Sequence, residues 1–322
     1  MLHPINGQHS IPNFTRLDLQ FVFCLELSPD TRPDTMVNPS IASNRTHCIL
    51  HAAKEGKYAV GAYNCYNGDG VMAVIRAAEA KGSPAIIQLF PWTLHFQGPE
   101  FVRYVVNSAH AASVPIAVHL DHCIKPEDVE LALTLPFDSI MIDGSTMEEA
   151  GNIAICARNI KRAHELGISI EVEMGRIEGG EDGLPNVDLG TIFSKPEDAK
   201  RFMEATGADF LAPSFGNIHG GYGVGGAERS WDLTLLRKIA KTVEQPLVLH
   251  GTHLVENELF LKAIDCGVSK INVNRIVRDD YTKFVAENAG KLEFTVLKVQ
   301  AVDVYSKSVQ RVMDLFGSSG KA

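Results

Sequence analysis

Three histidines, His122, His219 and His250, each stand at or a few residues beyond the end of a short apolar run, and Asp121 immediately precedes the first of them. Three imidazoles converging on one point leave a fourth position open, which is the donor set of a catalytic zinc site with Zn–N distances of about 2.0–2.1 Å. A carboxylate beside such a centre can move a proton to or from a hydroxyl held there. The structural alternatives are plain. A lone histidine at a strand end is most often a packing residue, and Asp121 could serve only to orient an imidazole. The joint position of the three histidines favours a metal. His119 shares the alternation of Asp121 and is assigned to support rather than ligation.

Other polar residues fall at the same kind of position: Asn64, Gln88, Asp143, Glu173, Asn272 and Asn274. Beyond Glu173 the chain reads Met174-Gly-Arg-Ile-Glu-Gly-Gly-Glu181-Asp182, whose glycines suggest a loop able to close over a ligand. Glu181 is then a candidate proton-abstracting base, or else part of a solvated acidic loop. The glycine cluster from His219 to Gly226 offers backbone N–H groups to an anion and draws its weight from adjacency to His219.

These residues need elements to hold them. β-prone runs recur at 59–64, 85–89, 116–121, 139–143, 169–173, 209–213, 247–250 and 270–273, and are mostly apolar rather than alternating, as for parallel strands covered on both faces. Helical punctuation separates them. Ser145-Thr-Met-Glu148 and Ser194-Lys-Pro-Glu197 read as capping boxes, Pro126 opens another helix, and Gly167, Gly207 and Gly267 suit helix ends. Eight strand–helix units without a composition break predict an α/β fold, a (β/α)8 TIM barrel in one domain over 41–322. Residues 1–40, rich in Pro, Asp, Ser and Thr near their end, read as a loosely held extension in which Met36 could be the natural start. Helices at 277–290 and 302–315 and a flexible Gly-Ser tail complete the reading.

Thirty basic and 39 acidic residues in 322 give a net charge of -9, against a protein that grips nucleic acid or an anionic membrane surface. No apolar stretch approaches the roughly 20 residues of a membrane span. Six scattered cysteines without a C-x-x-C pair read as reduced thiols, and with no export signal the cytoplasm is the expected compartment.

Several spaced motifs occur in order: Ala62-Tyr-Asn64, Val118-His-Leu-Asp-His122, Met141-Ile-Asp-Gly-Ser145, Glu171-Val-Glu-Met-Gly175 with Gly180-Glu-Asp182, His219-Gly220, Leu247-Val-Leu-His-Gly251 and Lys270-Ile-Asn-Val273. Through them the chain resembles the class II, zinc-dependent fructose-bisphosphate and tagatose-bisphosphate aldolases. The resemblance implies that His122, His219 and His250 bind Zn2+, or Co2+ or another divalent ion, and permits a monovalent cation. It makes Asp121 the acid/base on the C4 hydroxyl and Glu181 the shuttle of the C3 proton. The metal would stabilise an enediolate, giving dihydroxyacetone phosphate and an aldehyde from a ketose (bis)phosphate such as fructose 1,6-bisphosphate. Asn64, Gly220, Gly251, His253, Asn272, Asn274 and Arg275 would line the sugar-phosphate site, in a homodimer or homotetramer.

The chain departs from the family pattern at three places. His250-Gly-Thr-His253-Leu254 stands for H-G-G-S-G, Arg275 for the Thr of N-x-x-T, and Phe90 for the Ser of Q-x-S. Arg275 could replace that Thr as a phosphate donor with His253 assisting, or form a structural ion pair. The rival reading is a non-catalytic descendant that keeps the barrel and serves as a binding or regulatory protein.

Overall fold

The computed structural model describes residues 39–180 and 190–322. Eight parallel strands pair in chain order and close on themselves: β1 (Val60–Asn64), β2 (Ala85–Leu89), β3 (Ile116–Cys123), β4 (Ser139–Ile142), β5 (Ser169–Met174), β6 (Phe210–Pro213), β7 (Leu247–Leu249) and β8 (Val268–Val273). The last seam pairs Val60 with Lys270 and Tyr63 with Val273. Every strand residue is buried, as the unbroken apolar runs require. The expected TIM barrel is the observed fold.

Alternation along the strands separates two cores. Outward-facing residues such as Tyr63, Ile87, Leu89, Val118, Leu120 and Ile140 pack under the surrounding helices. Inward-facing Val60, Ile86, Ala117, Phe210 and Val248 fill the lower barrel, where the helix Arg45–Gly56 inserts Ile49, Leu50 and Ala53 as a plug. Asn44 caps that helix by accepting from the His47 N–H. Further up the barrel the interior turns polar, with Gln88, His119, Glu171, His250 and Lys270 all fully buried. The strand ends nearest their own C-termini therefore carry the chemistry and the opposite ends carry apolar packing.

The structure corrects four local expectations. Neither capping box caps: Glu148 stands at the N-cap of the helix Glu149–Glu165 and Lys195 at that of Pro196–Thr206, neither with a side-chain cap. Ser145 instead donates to Asp143 Oδ1 at 2.7 Å, and Ser194 to the Met174 carbonyl at 2.7 Å, because strand-end groups compete for both hydroxyls. The final helix runs Phe294–Phe316, beginning well before residue 302 behind a Glu293 cap. Its first turns expose Phe294, Val296 and Val299, so they lack the buried periodicity that marks a packed helix. The tail is pinned rather than flexible: Ser83 Oγ donates to Ser318 Oγ at 2.8 Å, and the Gly320 and Ala322 N–H groups donate to Lys81 and Gly82 carbonyls. Among the described residues the cysteines form no disulfide, and no helix is long and apolar enough to cross a membrane.

Candidate metal and catalytic centre

His122 reaches the centre through a break in its strand. A regular strand would send Asp121 and His122 to opposite faces. Here the β3–β4 register shifts between Leu120 and Cys123, and His122 takes φ 49°, a left-handed conformation uncommon for a residue with a Cβ. Both side chains are thereby buried in the barrel mouth, His122 Nε2 3.9 Å from Asp121 Oδ2.

Glycines bring the other two histidines in. A Cβ at Gly251, where φ is 71°, would lie 2.2 Å from the Ile218 carbonyl oxygen, and one at Gly179 would lie 1.9 Å from that of His219. Only glycine lets the segments after β5, β6 and β7 approach so closely. Tyr222 ties the last two together, donating to the Gly251 carbonyl at 2.6 Å and accepting from the Ile218 N–H and the Trp231 indole.

The result is a tight group in which His122, His219 and His250 each offer a ring nitrogen, all within 4.8 Å of one another. His122 Nε2 and His250 Nδ1 are 3.0 Å apart, close to the roughly 3.3 Å edge of a tetrahedron with 2.0–2.1 Å arms. Carboxylates hold the far nitrogens: Asp143 Oδ2 is 2.8 Å from His122 Nδ1, and Glu171 Oε1 is 2.8 Å from His250 Nε2. The Asn272 amide nitrogen also lies 3.3 Å from His250 Nε2, but the shorter carboxylate contact places the proton on that nitrogen. Each carboxylate thus fixes a tautomer whose free lone pair points to the shared centre.

The charges agree with a cation site. Burial opposes ionisation of Glu171, yet the Lys270 ammonium, then the His250 hydrogen bond, hold it well below the usual carboxylate range. Burial likewise opposes Asp143, which the His122 and Ser145 hydrogen bonds keep low. Burial and the Asp143 charge push Glu173 up to about 8. For His122, burial is overcome by the Asp121, Asp143 and Glu173 charges, which push the imidazole up to about 10. His219 goes the other way, held neutral by burial and by the two neighbouring imidazoles. Facing nitrogens 3.0 Å apart among three carboxylates call for one positive charge between them, a proton or a metal cation. The donor set fits a divalent ion.

Asp121 is 2% exposed and surrounded by donors: Gln88 Nε2 at 2.8 Å, Asn272 Nδ2 at 3.1 Å. Beside it the Asn64 amide N–H2 and the Gln88 carbonyl oxygen are buried without a hydrogen-bond partner among the described residues. Such orphaned polar atoms cost about 1–3 kcal/mol each and suit a bound ligand.

The other expected residues surround this centre at different depths. Asn272 touches Asp121, while Asn274, also buried, accepts from the Tyr66 hydroxyl at 3.0 Å. Gly220 and Gly251 sit beside His219 and His250 in left-handed turns. Arg275 is half exposed on the rim, 3.3 Å from both Asp279 Oδ2 and His253 Nε2. Glu181 lies outside the described residues; on its flanks Gly179 bridges to His219, and Glu178 accepts from Gly190 N–H and Thr191 Oγ1. Sequence reasoning missed the role of Glu171 and Lys270, which meet at 2.7 Å across 99 residues. Their inward alternation on β5 and β8 was the available signal.

Comparison with known proteins points to one family. The family model for fructose-bisphosphate aldolase class-II covers residues 44–321. A Coccidioides immitis protein provisionally named fructose-bisphosphate aldolase is 40% identical over 298 residues, 89% of this chain and 98% of its own. The fructose-bisphosphate aldolase of Thermus caldophilus is 36% identical over 299 residues, covering 85% of this chain and 98% of its own. A crystal structure of a provisionally assigned fructose-1,6-bisphosphate aldolase from Coccidioides immitis superposes with TM-score 0.83 at 41% identity, covering 87% of this chain and 98% of that one. The chain belongs to the class-II fructose-bisphosphate aldolases, a family of metal-dependent carbon–carbon lyases.

Proposed function

We propose that the protein is a zinc-dependent aldolase that cleaves a ketose (bis)phosphate such as fructose 1,6-bisphosphate into dihydroxyacetone phosphate and an aldehyde. The carrying observation is the convergence of His122, His219 and His250, with carboxylates fixing the tautomers of His122 and His250, beside a donor-ringed Asp121. The three histidines would hold the divalent cation, zinc or in its place cobalt, which supplies polarisation of the substrate ketone.

The protein's own groups do the rest. Asp121, kept an acceptor by Gln88 and Asn272, takes the proton of the C4 hydroxyl as the C3–C4 bond breaks and its electron pair stays on C3. Glu181 returns a proton to C3, a role supported by the Gly179–His219 bridge two residues before it. The orphaned Asn64 amide and Gln88 carbonyl bind substrate hydroxyls. Gly220, Gly251, Asn274, His253 and Arg275 form the phosphate side of the site, and two or four copies of the chain make the working assembly.

A coupled cleavage assay on zinc-loaded protein with fructose 1,6-bisphosphate and tagatose 1,6-bisphosphate tests this, with EDTA-treated protein as control. Chelator-sensitive turnover is expected. Firm zinc binding without turnover on either sugar would favour another keto substrate or a binding protein.

A further inference from the structure

Beneath the histidines lies a buried ammonium that the chemistry above does not use. Lys270 on β8 is fully buried, and its Nζ donates to Glu171 Oε2 at 2.7 Å and to Asn272 Oδ1 at 2.9 Å. Each partner carries a second contact upward into the centre. Glu171 Oε1 meets His250 Nε2 at 2.8 Å, and Asn272 Nδ2 donates to Asp121 Oδ2 at 3.1 Å.

We propose that Lys270 is a positioning residue that sets two groups at once, the His250 tautomer and the acceptor face of Asp121. The inference rests on the reading of His250 as a cation ligand and Asp121 as the proton acceptor.

The argument turns on donor and acceptor inventory. An ammonium only donates, so the Asn272 oxygen must face Nζ and its N–H2 must face Asp121. Without Lys270 the Asn272 oxygen loses its buried donor, so the amide is held from the Asp121 side alone and its N–H2 is no longer fixed in place against that carboxylate. The same ammonium balances Glu171, whose ionised carboxylate can only accept, so His250 carries its proton on Nε2 and directs the Nδ1 lone pair to the centre. His119, anchored through Nδ1 to Ser139 Oγ at 2.8 Å, stands beside the network with its buried Nε2 3.7 Å from Glu171 Oε2, beyond hydrogen-bond reach. A buried ion pair is a poor stabiliser beside apolar residues of equal volume, so packing alone gives no reason for one here.

The test uses the full chain with Co2+ as the probe, read by its visible absorption, and fructose 1,6-bisphosphate turnover at saturating Co2+. Lys270→Met should weaken Co2+ binding by about 10- to 100-fold and lower kcat at least about tenfold even when the ion saturates. In the double variant Lys270→Met/Glu171→Gln no lone charge is buried, and the Gln carbonyl still accepts from His250. Its Co2+ affinity should return to within about threefold of wild type, while kcat stays low because Asn272 is unanchored. Wild-type kcat in the double variant, or affinity that fails to recover, overturns the proposal. If Lys270→Met alone does not fold, the double variant carries the test unaided. A parallel His250→Ala sample separates the layers: wild-type Co2+ binding there defeats the ligand reading itself, whereas its loss beside unperturbed Lys270 variants defeats only the role of Lys270.

Discussion

The two ends of the barrel use carboxylates for different purposes. At the C-terminal end Glu171 and Asp143 accept from imidazoles whose other nitrogens face a common point. At the N-terminal end Asp138 and Asp209, each just ahead of a strand, accept from a backbone N–H of the preceding strand, Val118 and Ile170, and from a histidine at the periphery, His110 and His164. The residue types are the same. The difference is convergence: at one end the second imidazole nitrogens face a shared centre, while at the other the two imidazoles are partly exposed and lie apart on separate elements. A His–Asp contact is therefore not by itself a sign of catalysis, and convergence of several is.

Substitutions at the two ends should separate cleanly. The largest effect belongs to His250→Ala, which should lose both metal and turnover, at least about a thousandfold in rate; metal analysis showing full zinc occupancy would remove His250 from the ligand set. Arg275→Ala comes next. If Arg275 and His253 hold the substrate phosphate, KM should rise about tenfold with kcat nearly unchanged, and an unchanged KM would leave Arg275 as the ion partner of Asp279 only. At the other end Asp209→Ala should cost about 1–3 kcal/mol of stability in denaturant melts by stranding the Ile170 N–H, while kcat/KM stays at the wild-type value. A drop in turnover without loss of stability would contradict the division of labour between the ends.

The smallest effect concerns pH. His51 stacks on His47 at the base of the barrel, and burial, then the His47 and Lys54 charges, push its imidazole from 6.5 down to about 4. Below pH 6.5 the unfolded chain takes up a proton that the folded chain refuses, so stability falls between about 6.5 and 4 and levels off below. His51→Gln should flatten that limb of the stability curve; an unchanged slope would place its origin elsewhere.

Much of the fold was legible because apolar runs bounded by Gly and Pro locate parallel strands without help from tertiary context. The eight expected runs meet the eight strands with only end residues differing. The positions of the three histidines were legible for a related reason, since each lies near or beyond the C-terminal end of a strand. What escaped is what contacts decide. Simple alternation turns His122 away from Asp121, and only the left-handed bulge reverses this. Nothing local tells that Ser145 prefers Asp143 to a helix N-terminus, or that Glu171 finds Lys270 across the barrel. The tail looked loose by composition and is held by Ser83, Lys81 and Gly82.

The central claim is that the C-terminal end holds a cation and that Asp121, beside it, moves the proton. Asp121→Asn, with zinc content and turnover measured on the same sample, tests it most directly. The expected result is undiminished zinc with turnover lowered by about a hundredfold or more. Turnover equal to wild type would contradict the account.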